Sequence, residues 1–115
     1  MDAQRTAIRR DIAAVIAAWD GGLAMDSAAF DALCMRLFRW QAAHIAAYGA
    51  LCRSRGVDPA AVTRWTDIPC APAQLWKLTP MATAFAVSQP AAVFETSGTT
   101  QGSPGRAYLA ETDLY

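Results

Sequence analysis

The sequence predicts an α+β domain, mainly helical in its amino-terminal half and followed by a β-hairpin that carries a Gly/Ser/Thr loop. Apolar residues recur every three or four positions through residues 3–54, which is the spacing of amphipathic helices. After residue 91, two short apolar runs flank a glycine-rich segment, which is the arrangement of a hairpin. With 115 residues, the chain is one small domain or part of a larger one.

The composition excludes several classes of protein. Hydrophobic residues make up 54% of the chain and charged residues 17%, which excludes a disordered tail. Ten Lys and Arg balance ten Asp and Glu, whereas a nucleic-acid partner would require a basic excess. There is no secretion signal and no stretch of about 20 apolar residues, so a membrane span is not expected.

The three cysteines predict a reduced, cytoplasmic protein. Cys34, Cys52 and Cys70 are odd in number and form no CxxC pair, so neither a zinc site nor redox chemistry is expected. We expect reduced, mostly buried thiols and no bound metal at these positions.

Two helices are predicted before residue 55. The first covers residues 3–19 and ends at Asp20-Gly21-Gly22, because two glycines lower helix propensity. The second is predicted as one helix over residues 27–54, about 42 Å long. Asp26-Ser27 caps its start and Gly56 ends it, with Val57 as a hydrophobic cap.

The rest of the chain is predicted in shorter pieces. Asp58-Pro59 predicts a helix of two turns reaching Arg64, which completes a helical region over residues 1–64. Residues 65–91 contain prolines too frequently for long helices and are predicted as an ordered connection. A helical turn over 74–78 and an extended piece over 84–87 are expected within it.

Residues 92–110 are predicted as the hairpin. Its strands are Ala92 to Glu95 and Arg106 to Leu109, joined by the Gly/Ser/Thr loop. Thr112-Asp113 has the character of a helix N-cap.

The loop between the strands has the composition of a polyphosphate site. Glycines let successive backbone N–H groups turn toward one anion, and hydroxyl groups add further donors. The segment is neither the GxxxxGK[ST] loop of P-loop NTPases nor a GxGxxG motif. On composition alone an ordinary hairpin loop is favoured, because Gly, Ser and Thr are common loop residues. The residues concerned are Thr96, Ser97, Gly98, Thr99, Thr100, Gly102, Ser103, Gly105 and Arg106.

The order of these residues changes that judgement and favours a phosphate site. Thr96 to Arg106 resembles the phosphate loop of the AMP-forming adenylate ligases, Ser/Thr-Ser-Gly-Thr-Thr-Gly-x-Pro-Lys-Gly. Here Gln101 is inserted before the glycine, and Gly105-Arg106 replaces Lys-Gly. This form is similar to the LuxE-type acyl-protein synthetases, relatives of the phenylacetate-CoA ligases. Other segments that carry the resemblance are Phe38-x-Trp40-Gln41, Tyr48 and Ile68-Pro69-x-x-Pro72-x-x-Leu75-Trp76-Lys77, so that it extends from about Phe30 to Tyr115.

The resemblance implies that ATP, together with Mg²⁺, activates a carboxylic acid, expected to be a fatty acid, as an acyl adenylate. The acyl group then passes to a thiol, either a protein cysteine or CoA. In such enzymes the adenine pocket, the ribose-binding acidic residue, the catalytic lysine and the acylated cysteine follow the loop. The chain is therefore expected to be the amino-terminal part of a larger α/β adenylate-forming domain, inactive alone, with no catalytic residue assigned. Its phosphate-binding residues would be Thr96, Ser97, Gly98, Thr99, Thr100, Gly102 and, as a cation, Arg106.

Two alternatives stay open. A phenylacetate-type CoA ligase would differ in its acyl acceptor. A small helical interaction module would have no catalytic activity, and its exposed apolar helix face would bind a partner.

Other conspicuous side chains are given structural roles. His44 lies between Trp40 and Tyr48 on the apolar stripe, which favours a hydrogen-bonded core histidine over a ligand or a base. The four tryptophans are expected in the core. Lys77 is expected to be a solvated surface residue.

Overall fold

The computed structural model describes residues 2–19, 21, 25–78, 90–96, 104–109 and 111–112. It is α+β, as predicted, with helices followed by a two-stranded antiparallel hairpin. Within the described residues, no helix is long and apolar enough to cross a membrane. The elements are α1 (Ala3–Ala18), α2 (Ser27–His44), α3 (Ala46–Ser54), a 3₁₀ turn (Trp65–Asp67), α4 (Leu75–Leu78), β1 (Ala92–Glu95) and β2 (Arg106–Leu109).

The starts predicted for the first two helices are confirmed. Asp2 accepts a hydrogen bond from the Gln4 backbone at 2.9 Å and caps α1. Asp26 caps α2 in the same way, accepting from the Ala29 N–H at 2.8 Å. Beyond α1, Gly21 has φ 93°, a left-handed conformation that favours glycine. Asp20 and Gly22, the other two residues of the predicted stop, lie outside the described residues.

The prediction of one continuous helix over residues 27–54 is wrong. Ile45 leaves the helical conformation with φ −104° and ψ 101°, which separates α2 from α3. In a straight helix, residues 38 and 48 would be about 15 Å apart along the axis. The break instead brings the Phe38 and Tyr48 rings together edge to face, with their centroids 6.0 Å apart.

The end of α3 follows the sequence prediction closely. Gly56 has φ 66° and donates its N–H to the Arg53 carbonyl at 3.0 Å. Val57 donates to the Cys52 carbonyl at 2.9 Å. These two bonds form a Schellman motif, in which the left-handed glycine satisfies carbonyls that the helix would leave free.

The two-turn helix predicted after Asp58 is also wrong, since the structure has a single turn there. Asp58 accepts from the Ala60 N–H at 3.0 Å, so the capping bond forms. The helix does not continue, because Val62 is buried in the core. The Arg39 guanidinium of α2 also bonds the carbonyls of Pro59 at 3.1 Å and Val62 at 3.0 Å. The chain beyond Asp58 is thus tied to α2.

The core lies between α2, α3 and the segment after α3. Burial raises the pKa of the Tyr48 phenol to about 12, and its hydroxyl donates to the Pro69 carbonyl at 2.6 Å. The cysteines are free; Cys52 is buried, Cys34 is half-buried and Cys70 is exposed, so the expectation of buried thiols fails for Cys70. The buried members of the core cluster are Met35, Phe38, Tyr48, Cys52 and Val62.

The connection and the hairpin complete the described chain. The helical turn predicted over 74–78 is present as α4, and both strands have their predicted bounds. Arg5 and Arg9 of α1 pair with Glu111, just after β2, at 3.3 and 2.8 Å. The extended piece expected over 84–87, and Asp113 of the expected N-cap, lie outside the described residues.

Candidate functional site

The end of the hairpin is closed by hydrogen bonds between Thr96 and Gly105. The Thr96 N–H donates to the Gly105 carbonyl at 3.0 Å. In return, the Gly105 N–H donates to Thr96 Oγ1 at 2.8 Å. Thr96 and Gly105, which border residues 97–104 in the sequence, are therefore bonded directly to each other.

Arg106 and Glu95 are paired across the strands, one step from this closure. The two residues are register partners, and Arg106 Nε lies 2.8 Å from Glu95 Oε1. The hydrogen bond to Glu95, followed by one to Tyr108, raises the pKa of the Arg106 guanidinium. Both side chains are about half exposed, at 53% and 50%. The charge of Arg106 is thus already matched by a carboxylate.

The short helix α4 packs against the other side of Gly105. A Cβ placed on Gly105 would lie 3.4 Å from Lys77 Cγ and 3.4 Å from Trp76 Cβ. Gly105 itself is buried. Lys77 is half-buried, so the expectation of a solvated surface lysine is wrong for its aliphatic part.

The structure describes two of the predicted phosphate-binding residues, Thr96 and Arg106. It brings Thr96 to the closure with Gly105 and places Arg106 beside Glu95. Within the described ranges, no three His, Cys, Asp or Glu side chains cluster closely enough to hold a metal ion. The other five predicted residues, Ser97, Gly98, Thr99, Thr100 and Gly102, lie outside the described residues.

His44 belongs to a surface cluster, and its prediction as a core residue is wrong. Its ring stacks on Trp40 with centroids 4.5 Å apart, and its Nδ1 lies 2.8 Å from the Trp40 carbonyl. Asp2 accepts a hydrogen bond from Trp40 Nε1, and its Oδ2 lies 3.6 Å from His44 Nε2. This cluster joins the start of α1 to the end of α2.

Only one of the four tryptophans is in the core. Trp40 is buried, whereas Trp19, Trp65 and Trp76 are exposed. Trp65 meets Phe30 edge to face at the surface, with centroids 5.9 Å apart. The expectation that the tryptophans are core residues therefore holds for Trp40 alone.

A separate shallow cavity of about 370 Å³ lies on α2, α3 and the turn after them, and it includes none of the predicted phosphate residues. Its lining consists of Arg39, Ala42, Ala43, Gly49, Cys52, Arg53, Val57, Asp58, Pro59 and Ala60.

Sequence reasoning missed two residues at the hairpin end. Glu95 could have been predicted as the partner of Arg106. Antiparallel pairing of the two four-residue strands places the last residue of β1 opposite the first residue of β2. The position of Lys77 beside Gly105 had no local signal, because the two residues meet only through tertiary packing.

Comparison with protein-family models, with curated proteins and with solved structures gives no match for this chain.

Proposed function

We propose that this chain holds the phosphates of ATP in an AMP-forming acid–thiol ligase of the LuxE type. The observation that carries the proposal is the mutual hydrogen bonding of Thr96 and Gly105. These bonds hold together Thr96 and Gly105, the two residues that border the Gly/Ser/Thr loop. A loop needs ends held in this way in order to direct several donors toward one anion.

A second observation supports the same proposal. The Leu75-Trp76-Lys77 segment and the Thr96–Arg106 segment carry separate parts of the resemblance. In the structure they meet, because Trp76 and Lys77 lie against Gly105.

In the proposed reaction, a carboxylate oxygen of the acid attacks the α-phosphorus of ATP, and pyrophosphate leaves. A thiolate then attacks the acyl carbon, and AMP leaves. The contribution of this chain would be to hold the departing phosphates through backbone N–H groups and hydroxyls, and Mg²⁺ bound together with ATP would supply neutralising positive charge. We leave Arg106 outside these contacts, because it would have to give up its pair with Glu95.

The residues proposed to hold phosphate are Thr96, Ser97, Gly98, Thr99, Thr100 and Gly102.

Calorimetric titration with ATP, GTP and inorganic tripolyphosphate tests the proposal. We expect weak binding of all three with little preference for the base, because phosphate contacts carry no recognition of a base. T99A/T100A should weaken binding, since each donor removed costs about 1–3 kcal/mol, or roughly 5- to 150-fold. T63A/T66A is the matched control, because both threonines are exposed and lie in a different part of the chain.

Three results would contradict the proposal. One is the absence of any binding, another is unchanged binding by T99A/T100A, and the third is tight, adenine-selective binding, which would require a complete nucleotide pocket. We also expect no acid-dependent exchange of pyrophosphate into ATP by the 115-residue chain, because adenylation needs the acid, the metal and a closed site positioned together.

A second candidate function, the helical interaction module, is favoured by one observation. Ile16 and Trp19 at the end of α1 are 58% and 64% exposed, and neighbouring exposed apolar side chains are typical of protein contact surfaces. The titration separates the two functions, because the module would bind no triphosphate. An acyl-transfer assay with CoA and a protein thiol as competing acceptors would separate the LuxE-type from the phenylacetate-type ligase.

A further inference from the structure

The hairpin end has two neighbouring cations, and they differ in what they contact. Arg106 is held by Glu95 with Nε 2.8 Å from Oε1, and the two are cross-strand register partners. Withdrawing Arg106 from that pair would leave Glu95 as an unmatched negative charge beside an incoming phosphate. Arg106 is therefore poorly suited to receive an anion.

Lys77 differs from Arg106 in this respect. Within the part of the chain that the structure describes, its ammonium group forms no ion pair. It is also the single lysine in the sequence. An ammonium group on a flexible stem keeps its three donors available for phosphate oxygens.

Packing holds the aliphatic part of the Lys77 side chain beside Gly105. Its Cγ lies in van der Waals contact range of the position that a Cβ would occupy on Gly105, at 3.4 Å. Thr96 Oγ1 lies 3.5 Å from the same position. The aliphatic part of Lys77 and the hydroxyl of Thr96 thus both lie beside the buried Gly105. Thr96 and Gly105 are the two residues that border the Gly/Ser/Thr loop.

We propose that Lys77, not Arg106, supplies the cation that binds the phosphates of a polyphosphate ligand at this end of the hairpin. The inference rests on the proposed function, since it names a further residue of the same site. Lys77 is a phosphate-binding residue delivered by α4, and the Glu95–Arg106 pair holds the strands together.

The single lysine permits a direct test by chemical labelling. An acetyl ester of N-hydroxysuccinimide acylates free amines, so that within the chain it reports on Lys77 and on the amino terminus. With tripolyphosphate or ATP at ten times its Kd, about one tenth of the sites stay empty. Acetylation of Lys77 should then slow about tenfold, while labelling of the amino terminus of the same molecules stays unchanged. Equal rates for Lys77 with and without ligand would overturn the inference.

Variants provide the second readout. K77Q should weaken tripolyphosphate binding by about 10- to 150-fold, the loss expected for a charge-assisted hydrogen bond of about 1.5–3 kcal/mol, and K77R should restore part of it. E95Q/R106Q, which removes both charges of the cross-strand pair, and R53Q should each stay within about twofold of the unaltered chain, since R53Q removes a cation from α3, which does not contact the hairpin. Circular dichroism spectra and thermal midpoints of all four variants establish that each is folded.

The outcomes separate the inference from the proposed function. If the unaltered chain binds tripolyphosphate, and E95Q/R106Q loses binding while K77Q keeps it, the inference is wrong and the proposed function stands. If the unaltered chain binds none of ATP, GTP or tripolyphosphate, both are wrong. If K77Q loses binding and E95Q/R106Q keeps it, the inference is supported.

Discussion

Gly49 of α3 lies directly against the backbone of Ala42 in α2. A Cβ built on Gly49 would stand 2.6 Å from the Ala42 carbonyl oxygen, closer than real Cβ contacts come. The break at Ile45 turns α3 back against α2, and this close approach is possible because residue 49 has no side chain.

G49A should therefore destabilise the protein, although it would stabilise an isolated helix. Helix propensity alone favours alanine over glycine by roughly 0.5–1 kcal/mol. The backbone shift needed to relieve the clash costs about 1–3 kcal/mol, so we expect a net loss in a urea unfolding titration. A50G on the exposed side of α3 is the control, with a loss of about 1 kcal/mol from propensity alone. A gain in stability for G49A would show that the two helices do not approach so closely.

Ionisation of the Tyr48 phenol should lower the free energy of unfolding at alkaline pH. Its pKa is raised from 10.0 to about 12 by burial, so the protonated phenol is favoured in the folded state. This contribution is complete below pH 10 and is lost as the pH rises from 10 to 12. Y48F should lack this loss, and at neutral pH it should be less stable by about 1–3 kcal/mol because the buried Pro69 carbonyl loses its donor. Thermal unfolding between pH 7 and 12 measures both effects, with L78A as a control because Leu78 is 74% exposed. Parallel alkaline curves for Y48F and the unaltered chain would contradict the prediction.

Replacing Thr96 should open the end of the hairpin. T96V keeps the shape of the side chain but removes the oxygen that accepts from the Gly105 N–H, which leaves a buried donor unsatisfied. We expect hydrogen exchange at Gly105 to become roughly 5- to 150-fold faster, for a loss of about 1–3 kcal/mol. T96S keeps the oxygen and should exchange as the unaltered chain does. Unchanged protection in T96V would mean that the side-chain bond does not close the hairpin.

Protonation of the Asp2 carboxylate should lower the free energy of unfolding in acid. The hydrogen bond from Trp40 lowers the pKa of the Asp2 carboxyl below its usual 3.8, while partial burial acts in the opposite direction. Because the folded carboxylate keeps its charge to lower pH than the unfolded one, this contribution is complete above about pH 4 and is lost as the pH falls through the folded value. D2N should therefore lose less stability than the unaltered chain between pH 4 and pH 2.

Asp11 requires a separate control in that experiment, because Arg36 and then Arg10 lower its pKa in the same way. D11N and D2N should each remove part of the acid dependence. W40F should reduce the effect of Asp2 and leave that of Asp11 unchanged. If W40F leaves the effect of D2N unaltered, the Trp40 bond does not hold the Asp2 charge.

The features that the sequence predicted correctly are local ones. The hydrogen bonds of the caps at Asp26 and Gly56 join residues that are only three to five positions apart in the sequence. The break at Ile45 depends on packing between Ala42 and Gly49, and an apolar stripe read along one helix carries no information about that packing. Periodicity alone therefore extended α2 through α3.

The candidate site divides in the same way. Thr96 and Arg106 are candidates because of their order in a motif, and the strand ends follow from composition. Lys77 reaches the hairpin from an element 28 residues before Gly105 in the numbering. Nothing in the segment around Lys77 distinguishes a lysine beside a hairpin from one in solvent, so its surroundings could be known only from the fold.

The pairing of Arg5 and Arg9 with Glu111 has a consequence for the order in which the chain folds. Arg5 and Glu111 are 106 residues apart, and loop-closure entropy disfavours such distant contacts until nearer ones have formed. We expect the α2–α3 unit to form first, because its segments are neighbours in the sequence, and α1 and the hairpin to dock on it later. If the Arg5–Glu111 contact forms in the last step, E111Q should accelerate unfolding in stopped-flow measurements while the folding rate stays the same.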